Sequence, residues 1–201
     1  LEHRGTCNDG VGKGMCGGEI KILSSGRSKA NKGKNVLVGN FALFGATGGR
    51  LFIEGQAGDR FAVRNSGTTA VVEGVGDFCA EYMTNGSILN LGEFSKGLGN
   101  GMSGGFVYQY DPQSLLQDMV SHDSVLFGRL NDGGESAQIH EDCILRMLKW
   151  HHSATQSVRA KIFIEEWDTI KKDFSWIMPK AFLKYQCADT IFATSTRKQL
   201  S

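Results

Sequence analysis

The chain has 201 residues, enough to bury one hydrophobic core with a small appended element. Its 22 basic and 21 acidic residues balance, which argues against nucleic acid or an anionic membrane as a partner, and no apolar run is long enough to span a bilayer. Only 2 prolines stand against 27 glycines, which indicates many positions with a positive φ or a close backbone approach.

The N-terminal part, residues 1–34, contains one strand-like run at 19–23 that alternates polar and apolar residues. The small, polar and basic stretch that follows, 24–34, is typical of an exposed loop. Two G-x-G-x-x-G strings, at 12–17 and 99–104, each precede a strand pattern instead of a helix. A dinucleotide site needs a helix N-terminus at that point, so we interpret both strings as structural corners.

A nineteen-residue step dominates residues 35–111. Glycines recur at this spacing, and so do two apolar columns. The glycines are Gly48, Gly67, Gly86 and Gly105, and the predicted inward-facing columns are Leu51/Ala70/Leu89 and Ile53/Val72/Leu91. A fixed period this short does not suit helical repeats, which need more than thirty residues, but it suits one coil of a parallel β-helix. The fold class predicted is an all-β core, a right-handed single-stranded parallel β-helix, with a C-terminal helical segment.

Charged residues within the repeat form a candidate site. Two glutamates occupy equivalent positions one coil apart, and the other charges fall in the corners between strands. Such a row is either a solvated polar face or a docking face for another domain, and both interpretations stay open. The candidate docking residues are Glu54, Asp59, Arg60, Arg64, Glu73, Asp77 and Glu81.

The C-terminal part changes to a helical pattern. Residues 119–130 have room for one or two more strands, and residues 139–152 are predicted to form a helix. A second helix is predicted over residues 157–178, with Ser157 as its N-cap and Pro179 as its stop. Its apolar stripe predicts that one face of this helix packs against the β-helix. The stripe comprises Ala160, Phe163, Trp167, Ile170, Phe174 and Ile177.

Neither cysteines nor histidines form a convincing catalytic or metal-binding arrangement. The five cysteines, among them Cys187 near the C-terminus, contain no C-x-x-C pair, which indicates reduced thiols and a cytoplasmic protein. Cys79 lies near two carboxylates, which raise the pKa of a thiol. One group of histidines and a cysteine is a candidate zinc site, but it lacks a fourth soft ligand at motif spacing, so we expect no zinc site. That group is His140, Cys143, His151 and His152, of which the last two are predicted at a solvent-facing helix end.

Several strings, in chain order, closely resemble the C-terminal GXGXG domain of the glutamate synthase large chain. They are CNDGVGKGMCGG (7–18), VGNFALFGATGG (38–49), AGDRFAVRNSG (57–67), AVVEGVGD (70–77), AEYMTNG (80–86) and NGMSGG (100–105). The resemblance covers roughly residues 7–180 and implies a right-handed parallel β-helix. Gly10 departs from the family's usual aromatic residue, and the family normally has further coils before residues 8–9. We therefore expect a piece of the enzyme or a shortened relative.

The resemblance implies a function by association. Glutamate synthase moves ammonia from glutamine to 2-oxoglutarate, using an N-terminal cysteine amidotransferase domain, an FMN barrel and an iron–sulfur cluster. In that family the β-helix is structural, so the chain is expected to be a non-catalytic scaffold that holds neither FMN nor the cluster. The alternative is a separate subunit of a split glutamate synthase or of a formylmethanofuran dehydrogenase-like complex. A third, an enzyme of the sugar-cleaving β-helix class, needs a carboxylate cluster, for which Glu54 and Glu73 are thin support.

The predicted organisation is a β-helix domain over residues 1–135, with its coils clearest at 35–111. A helical extension packed on the β-helix follows over 136–180, and a tail over 181–201. Expected partners are the other domains or subunits of glutamate synthase.

Overall fold

The computed structural model describes residues 1–25, 35–132 and 136–184. Most of the predicted loop 24–34 and of the predicted tail 181–201 therefore lies outside the described residues. The strands are β1 Glu2–Arg4, β2 Cys16–Leu23, β3 Val36–Val38, β4 Gly48–Ile53, β5 Gln56–Ala57, β6 Ser66–Gly74, β7 Asn85–Glu93, β8 Phe106–Tyr110, β9 Val125–Arg129 and β10 Phe174–Pro179. The α-helices are α1 Leu116–Met119, α2 Ala137–Thr155, α3 Val158–Glu165 and α4 Trp167–Ile170.

The strands form a β-solenoid of about five turns. Its main sheet has the order β1-β2-β4-β6-β7-β8-β10-β9, in which the first six strands are parallel and the last two are antiparallel to their neighbours. A second small sheet pairs β3 with β5. The predicted fold class is confirmed. Strands β10 and β9 cover the open edge of β8, which would otherwise leave its backbone groups unpaired.

Each turn of the solenoid contains a corner in which every second residue is left-handed. These residues are Gly10, Gly12 and Gly14 in the first corner, Phe41, Leu43 and Gly45 in the second, Arg60, Ala62 and Arg64 in the third, Phe78, Ala80 and Tyr82 in the fourth, and Gly97, Gly99 and Gly101 in the fifth. The backbone amides of successive left-handed residues point alternately to the next turn and to the preceding turn. Arg60 N donates to Asp77 O of the next turn at 2.7 Å, whereas Ala62 N donates to Ala42 O of the preceding turn at 2.8 Å. The corners therefore hydrogen-bond the turns to one another.

One testable consequence concerns Gly101, whose missing Cβ leaves room for the ring of Tyr82. A Cβ there would lie 2.4 Å from Tyr82 Cδ1, whereas Gly14, with nearly the same φ of +66°, has nothing within 4 Å of that position. Both glycine-to-alanine changes carry the left-handed penalty of roughly 1–2 kcal/mol. Gly101→Ala adds overpacking, so we expect it to cost roughly 1–3 kcal/mol more than Gly14→Ala in chemical denaturation.

The control is the same pair of changes in a Tyr82→Ala background. Removing the ring removes the overlap, so the difference between the two glycine sites should disappear there. A difference that persists would mean that the Gly101 backbone, and not the Tyr82 ring, is the sensitive element.

The predicted apolar columns are wrong in their third members, because two bulges shift the register between β6 and β7. Ala70 pairs with Ile88 and Val71 pairs with Leu89, although the strand ends keep the nineteen-residue step. The inner column is Leu51, Ala70, Ile88 and Val107, and the outer column is Phe52, Val71, Leu89 and Tyr108. Leu91 likewise belongs to the outer core and not with Ile53 and Val72.

Two buried asparagines hold these bulges. Asn65 Oδ1 accepts from Thr68 N at 2.9 Å while its Nδ2 donates to Thr68 O at 2.9 Å, which stabilises the extra residue in β6. Further along, Asn90 Nδ2 donates to Glu93 O at 2.9 Å across the extra residue in β7. The first bulge advances the register by one residue and the second restores it.

The main sheet therefore has a core on each face. The inner core fills the solenoid, and the outer core lies between the sheet and the helices. The first predicted helix, over 139–152, is present and extends over Ala137–Thr155. The second predicted helix is wrong beyond Ile170. The chain passes through α3, α4 and a 3₁₀ turn, Lys171–Asp173, into strand β10, whose last residue is Pro179.

Apart from Ile177, the residues of the C-terminal stripe lie together in the outer core. Phe163, Trp167 and Ile170 lie in the outer core with exposures of 9%, 7% and 8%, and Phe174 is fully buried there. Ile177 contacts the inner core instead, because side chains alternate faces along a strand. Ser157 is the N-cap of α3, since its Oγ accepts from Ala160 N at 3.1 Å.

Candidate functional site

The candidate docking residues fall into two sets. Glu54 and Glu73 are buried, with exposures of 5% and 2%, so neither presents its carboxylate to solvent. Glu54 Oε2 accepts from both the backbone N and the Oγ of Ser24, at 3.1 and 3.0 Å. The remaining five residues lie at the solenoid corners, three of them exposed and two partly buried.

Glu73 is the centre of a polar clamp between the sheet and the helices, which comprises Glu73, His151 and Ser157. Glu73 Oε1 accepts a short hydrogen bond from Ser157 Oγ and lies 3.2 Å from His151 Nε2. Arg159 Nη1 donates to the backbone oxygens of Glu73 and Leu91, at 3.2 and 3.1 Å. The prediction that His151 lies at a solvent-facing helix end is wrong, because its side chain is fully buried.

The clamp contains serine, histidine and a carboxylate, but it is not arranged as a catalytic triad. In a triad the histidine lies between the nucleophile and the acid, so that it can take the serine proton. Here the carboxylate lies between the other two, and the serine proton points at Glu73. Ser157 Oγ also caps α3 and is buried, with an exposure of 1%, which leaves no approach for a substrate. The clamp therefore joins α2 and α3 to β6.

The electrostatics of Glu73 agree with a stabilising role. Burial raises the pKa of its carboxyl, but the hydrogen bonds from His151 and Ser157 and the nearby Arg159 outweigh burial and leave the pKa below its ordinary value. The carboxylate form is therefore the one that the fold holds.

Asp59 and Asp77 belong to a ladder of Asx side chains that runs along the solenoid. Asp9 Oδ1 accepts from Asn40 N at 2.7 Å, Asn40 Oδ1 accepts from Asp59 N at 2.8 Å, and Asp59 Oδ1 accepts from Asp77 N at 2.9 Å. Asp77 continues the ladder by accepting from Ser95 Oγ. The first three steps each satisfy a backbone donor of the next turn, so these side chains serve the fold.

Close packing makes glycine necessary beside this ladder. A Cβ at the residue before Asp77, Gly76, would lie 2.2 Å from Asp59 Oδ1, and one at Gly39 would lie 2.2 Å from Asp9 Oδ1. The recurring Gly-Asx pair in the sequence is the signal for this arrangement.

The arginines of the candidate set are placed differently. The guanidinium of Arg60 lies between the rings of Phe41 and Phe78, 5.6 and 6.0 Å from their centroids. Arg64 is exposed in the same corner, one turn from Tyr82, which has an exposure of 50%. Sequence reasoning selected the arginines by charge, but it missed the aromatic residues beside them.

Glu81 and Cys79 are also used by the fold. Glu81 Oε1 accepts from Asn100 Nδ2 at 3.1 Å. The pKa of Cys79 is raised to about 12 because the thiol is buried, so the predicted direction is right but burial, not the neighbouring carboxylates, is the cause. A thiol with that pKa is not a nucleophile at neutral pH.

The four residues considered for zinc do not converge. His140 stacks on Trp176 with ring centroids 5.6 Å apart, His151 contacts Glu73, and His152 Nδ1 lies 3.1 Å from Ser157 O. Among the residues that the structure describes, no group of three or more His, Cys, Asp or Glu side chains is arranged to hold a metal ion.

His140 predicts an acid sensitivity of the fold. Burial lowers the pKa of its imidazole to about 3, so between pH 6.5 and 3 the unfolded chain binds a proton that the folded chain does not. Stability must then fall with falling pH, by about 1.4 kcal/mol per unit in that window. From pH 7.5 to 5.0 this single group should remove about 2 kcal/mol from the free energy of unfolding, measured by urea titration at each pH.

The matched variant is His140→Gln. His140→Gln removes the buried imidazole and should flatten the pH dependence. Equal pH dependence in the parent and His140→Gln would show that another group is responsible.

A groove of about 380 Å³ opens between the ends of β7 and β8 and helix α3. Its walls are mainly apolar, with Tyr110, Phe163 and Leu115, and Arg159 lies at its side. Glu93 and Asp111 also line the groove, and Arg159 Nη1 is already bound to two backbone oxygens.

None of the helices in the described ranges combines the length and apolar character that crossing a bilayer requires.

Comparisons with known proteins agree on one family. The family model described as "GXGXG motif" matches residues 1–180. Among similar curated proteins, the ferredoxin-dependent glutamate synthase of Antithamnion sp. is 41% identical over 89% of this chain and 11% of its own length. The glutamate synthase [NADPH] large chain of Bacillus subtilis (strain 168) is 40% identical over 89% of this chain and 11% of its own.

A chloroplastic ferredoxin-dependent glutamate synthase 2 of Arabidopsis thaliana is 39% identical over 87% of this chain and 10% of its own length. The chain thus spans about one-tenth of the length of the curated relatives it matches. The similarity is spread over nearly the whole chain.

Proposed function

Because this chain belongs to the GXGXG motif family, we propose that it is a non-catalytic scaffold segment of a glutamate synthase. In this proposal it braces the amidotransferase and FMN-binding domains of an enzyme that makes glutamate in the assimilation of ammonia, in the cytoplasm. The support is that similar proteins named glutamate synthase include a segment about 40% identical to nearly the whole chain.

The observation that carries the scaffold role is the use of reactive side chains within the fold. Glu73, His151 and Ser157 are buried, with His151 and Ser157 both bonded to Glu73, and the thiol of Cys79 is buried and held protonated. Asp59 and Asp77 are committed to the ladder between turns. Groups that could serve acid–base or nucleophilic chemistry thus hold turns and helices together, which is what a rigid support needs.

The cofactors of the parent enzyme are proposed to lie outside this chain. An iron–sulfur cluster needs several thiolates around one point. The described cysteines are spread over the fold: Cys7 and Cys16 lie in the first turn, Cys79 in the fourth corner and Cys143 in α2. These residues do not fit a cluster.

The test is purification of the native assembly through an affinity tag on this chain. The expected result is co-purification of the amidotransferase and FMN-binding parts of a glutamate synthase, with flavin absorbance in the assembly. The separately produced 201-residue chain should show no flavin absorbance and no hydrolysis of glutamine above background. Turnover of glutamine by that chain, or a native assembly without the other synthase parts, would overturn the proposal.

A further inference from the structure

Five large side chains occupy left-handed corner positions at which glycine would give the same backbone conformation. We call Phe41, Arg60, Arg64, Phe78 and Tyr82 the corner face, and all five have a positive φ of 54–59°. Glycine serves at the equivalent positions in the first and fifth corners and makes the same backbone. Bulky residues are disfavoured there, so the turn itself does not explain why they are present.

Contacts within the corner face account for only part of it. Arg60 stacks on Phe41 and Phe78, and such contacts stabilise the stack. The side chain of Arg64 is exposed and makes no hydrogen bond or ion pair within the part of the chain that the structure describes. Tyr82 and Phe41 remain 50% and 37% exposed, which is unusual for aromatic side chains held in disfavoured conformations.

The carboxylates of this surface already accept hydrogen bonds from the fold, whereas the guanidinium donors of Arg60 and Arg64 are not used by it within the described residues. Asp59 accepts from the backbone of the next turn, Asp77 binds Ser95 and lies 3.5 Å from Lys96, and Glu81 binds Asn100. By contrast, the guanidinium groups of Arg60 and Arg64 have no carboxylate within 4 Å among the described residues. The acids serve the fold and the arginines face outward.

We propose that the corner face docks against an acidic protein surface of the synthase outside this chain. Arginine and aromatic residues are the types that supply most binding energy at protein interfaces. Guanidinium groups bind carboxylates through paired hydrogen bonds, and the rings of Phe41 and Phe78 hold Arg60 in place for such a contact. This inference rests on the proposed scaffold function and names the surface through which the scaffold acts.

The first measurement is the reactivity of the arginines toward phenylglyoxal, read by peptide mass spectrometry. The native assembly, purified through the tag and treated with nuclease, is compared with the separately produced 201-residue chain. We expect Arg60 and Arg64 to react at least tenfold more slowly in the assembly. Arg146, exposed on α2, is the internal reference for the reactivity of the reagent.

The second measurement identifies the partner's chemistry. In the variant Arg60→Lys/Arg64→Lys, a carbodiimide activates a contacting carboxyl group, the lysine amine displaces the activated oxygen to form an amide, and the carbodiimide leaves as its urea. We expect cross-linked peptides that join position 60 or 64 to an Asp or Glu outside residues 1–201. The parent has no amine at these positions and is the matched control.

The following results would each overturn the proposal that the corner face docks against an acidic protein surface. Unprotected arginines in an assembly that retains the other synthase parts would refute the corner face and leave the scaffold function standing. A tagged chain that purifies without those parts would refute both. Protection that is lost on nuclease treatment would indicate nucleic acid as the occupant, and protection without carboxylate cross-links would indicate a partner surface that is not acidic.

Discussion

Replacing Trp167 by alanine is expected to lower the free energy of unfolding by roughly 3–5 kcal/mol, a large fraction of the stability of a single domain. The indole is 7% exposed and lies in the outer core with its ring centroid 5.5 Å from that of Phe174. Its Nε1 donates to Glu141 Oε1 at 2.8 Å, so the change also removes a hydrogen bond between α4 and α2. The measurement is the shift of the urea midpoint against the parent.

Two matched variants separate packing from the hydrogen bond. Trp167→Phe keeps a ring in the outer core but loses the donor to Glu141, and we expect roughly 1–2 kcal/mol. Ile162→Ala changes the exposed side of the neighbouring helix α3, where 43% of the side chain is exposed, and should cost much less than Trp167→Ala. A midpoint that barely moves in Trp167→Ala would mean that α3 and α4 do not stabilise the solenoid.

Periodicity predicted the solenoid because the stacking of turns imposes it directly on the sequence. A coil that must hydrogen-bond to its neighbours cannot change length freely, so glycines such as Gly48 and Gly67 stay in step. The bulges were not predictable from the same step. The first bulge places one extra residue in β6 and the second places one extra residue in β7, before Gly74 pairs with Glu93. The overall period is therefore unchanged. Only the side-chain bonds of Asn65 and Asn90 mark them.

The C-terminal segment shows how one pattern fits two structures. Apolar residues at 163, 167, 170 and 174 satisfy a helical stripe, yet Phe174 begins a strand. The open edge of β8 decides the outcome, since it supplies backbone partners that a longer helix would leave unsatisfied. Local periodicity carries no information about that edge. The stripe was therefore predictable as buried, but its last turn was not predictable as a strand.

The candidate site was predicted by charge, and charge alone does not distinguish buried from exposed groups. Glu73 has its two partners 78 and 84 positions away in sequence, so no local signal marks it as buried. The Gly-Asx pairs around Asp59 and Asp77 did carry a local signal, because a glycine beside an Asx side chain leaves space for its bond to the backbone. The corner face combines charges that sequence reasoning found with rings that it did not consider.

Replacing Glu73 by alanine is expected to cost roughly 3–5 kcal/mol, because it leaves the buried groups of His151 and Ser157 without their shared acceptor. The loss should also change the acid response. The pKa of Glu73 is lowered in the folded chain, so its stabilisation is fully present above the unfolded pKa of about 4.5 and is lost as pH falls through the folded value. Urea denaturation at pH 7 and at pH 4 measures both effects.

A double-mutant cycle with Ser157→Ala shows whether the clamp, and not the cavity alone, causes the loss. If Ser157 Oγ stabilises the fold through Glu73, the two changes together should cost less than their sum by roughly 0.5–3 kcal/mol, because the second removes a partner that is already lost. Glu93→Ala, at an exposed position on the same side of the solenoid, is the control and should change stability by less than roughly 0.5 kcal/mol. Strict additivity of Glu73→Ala and Ser157→Ala would contradict the clamp and assign the stability to packing around β6.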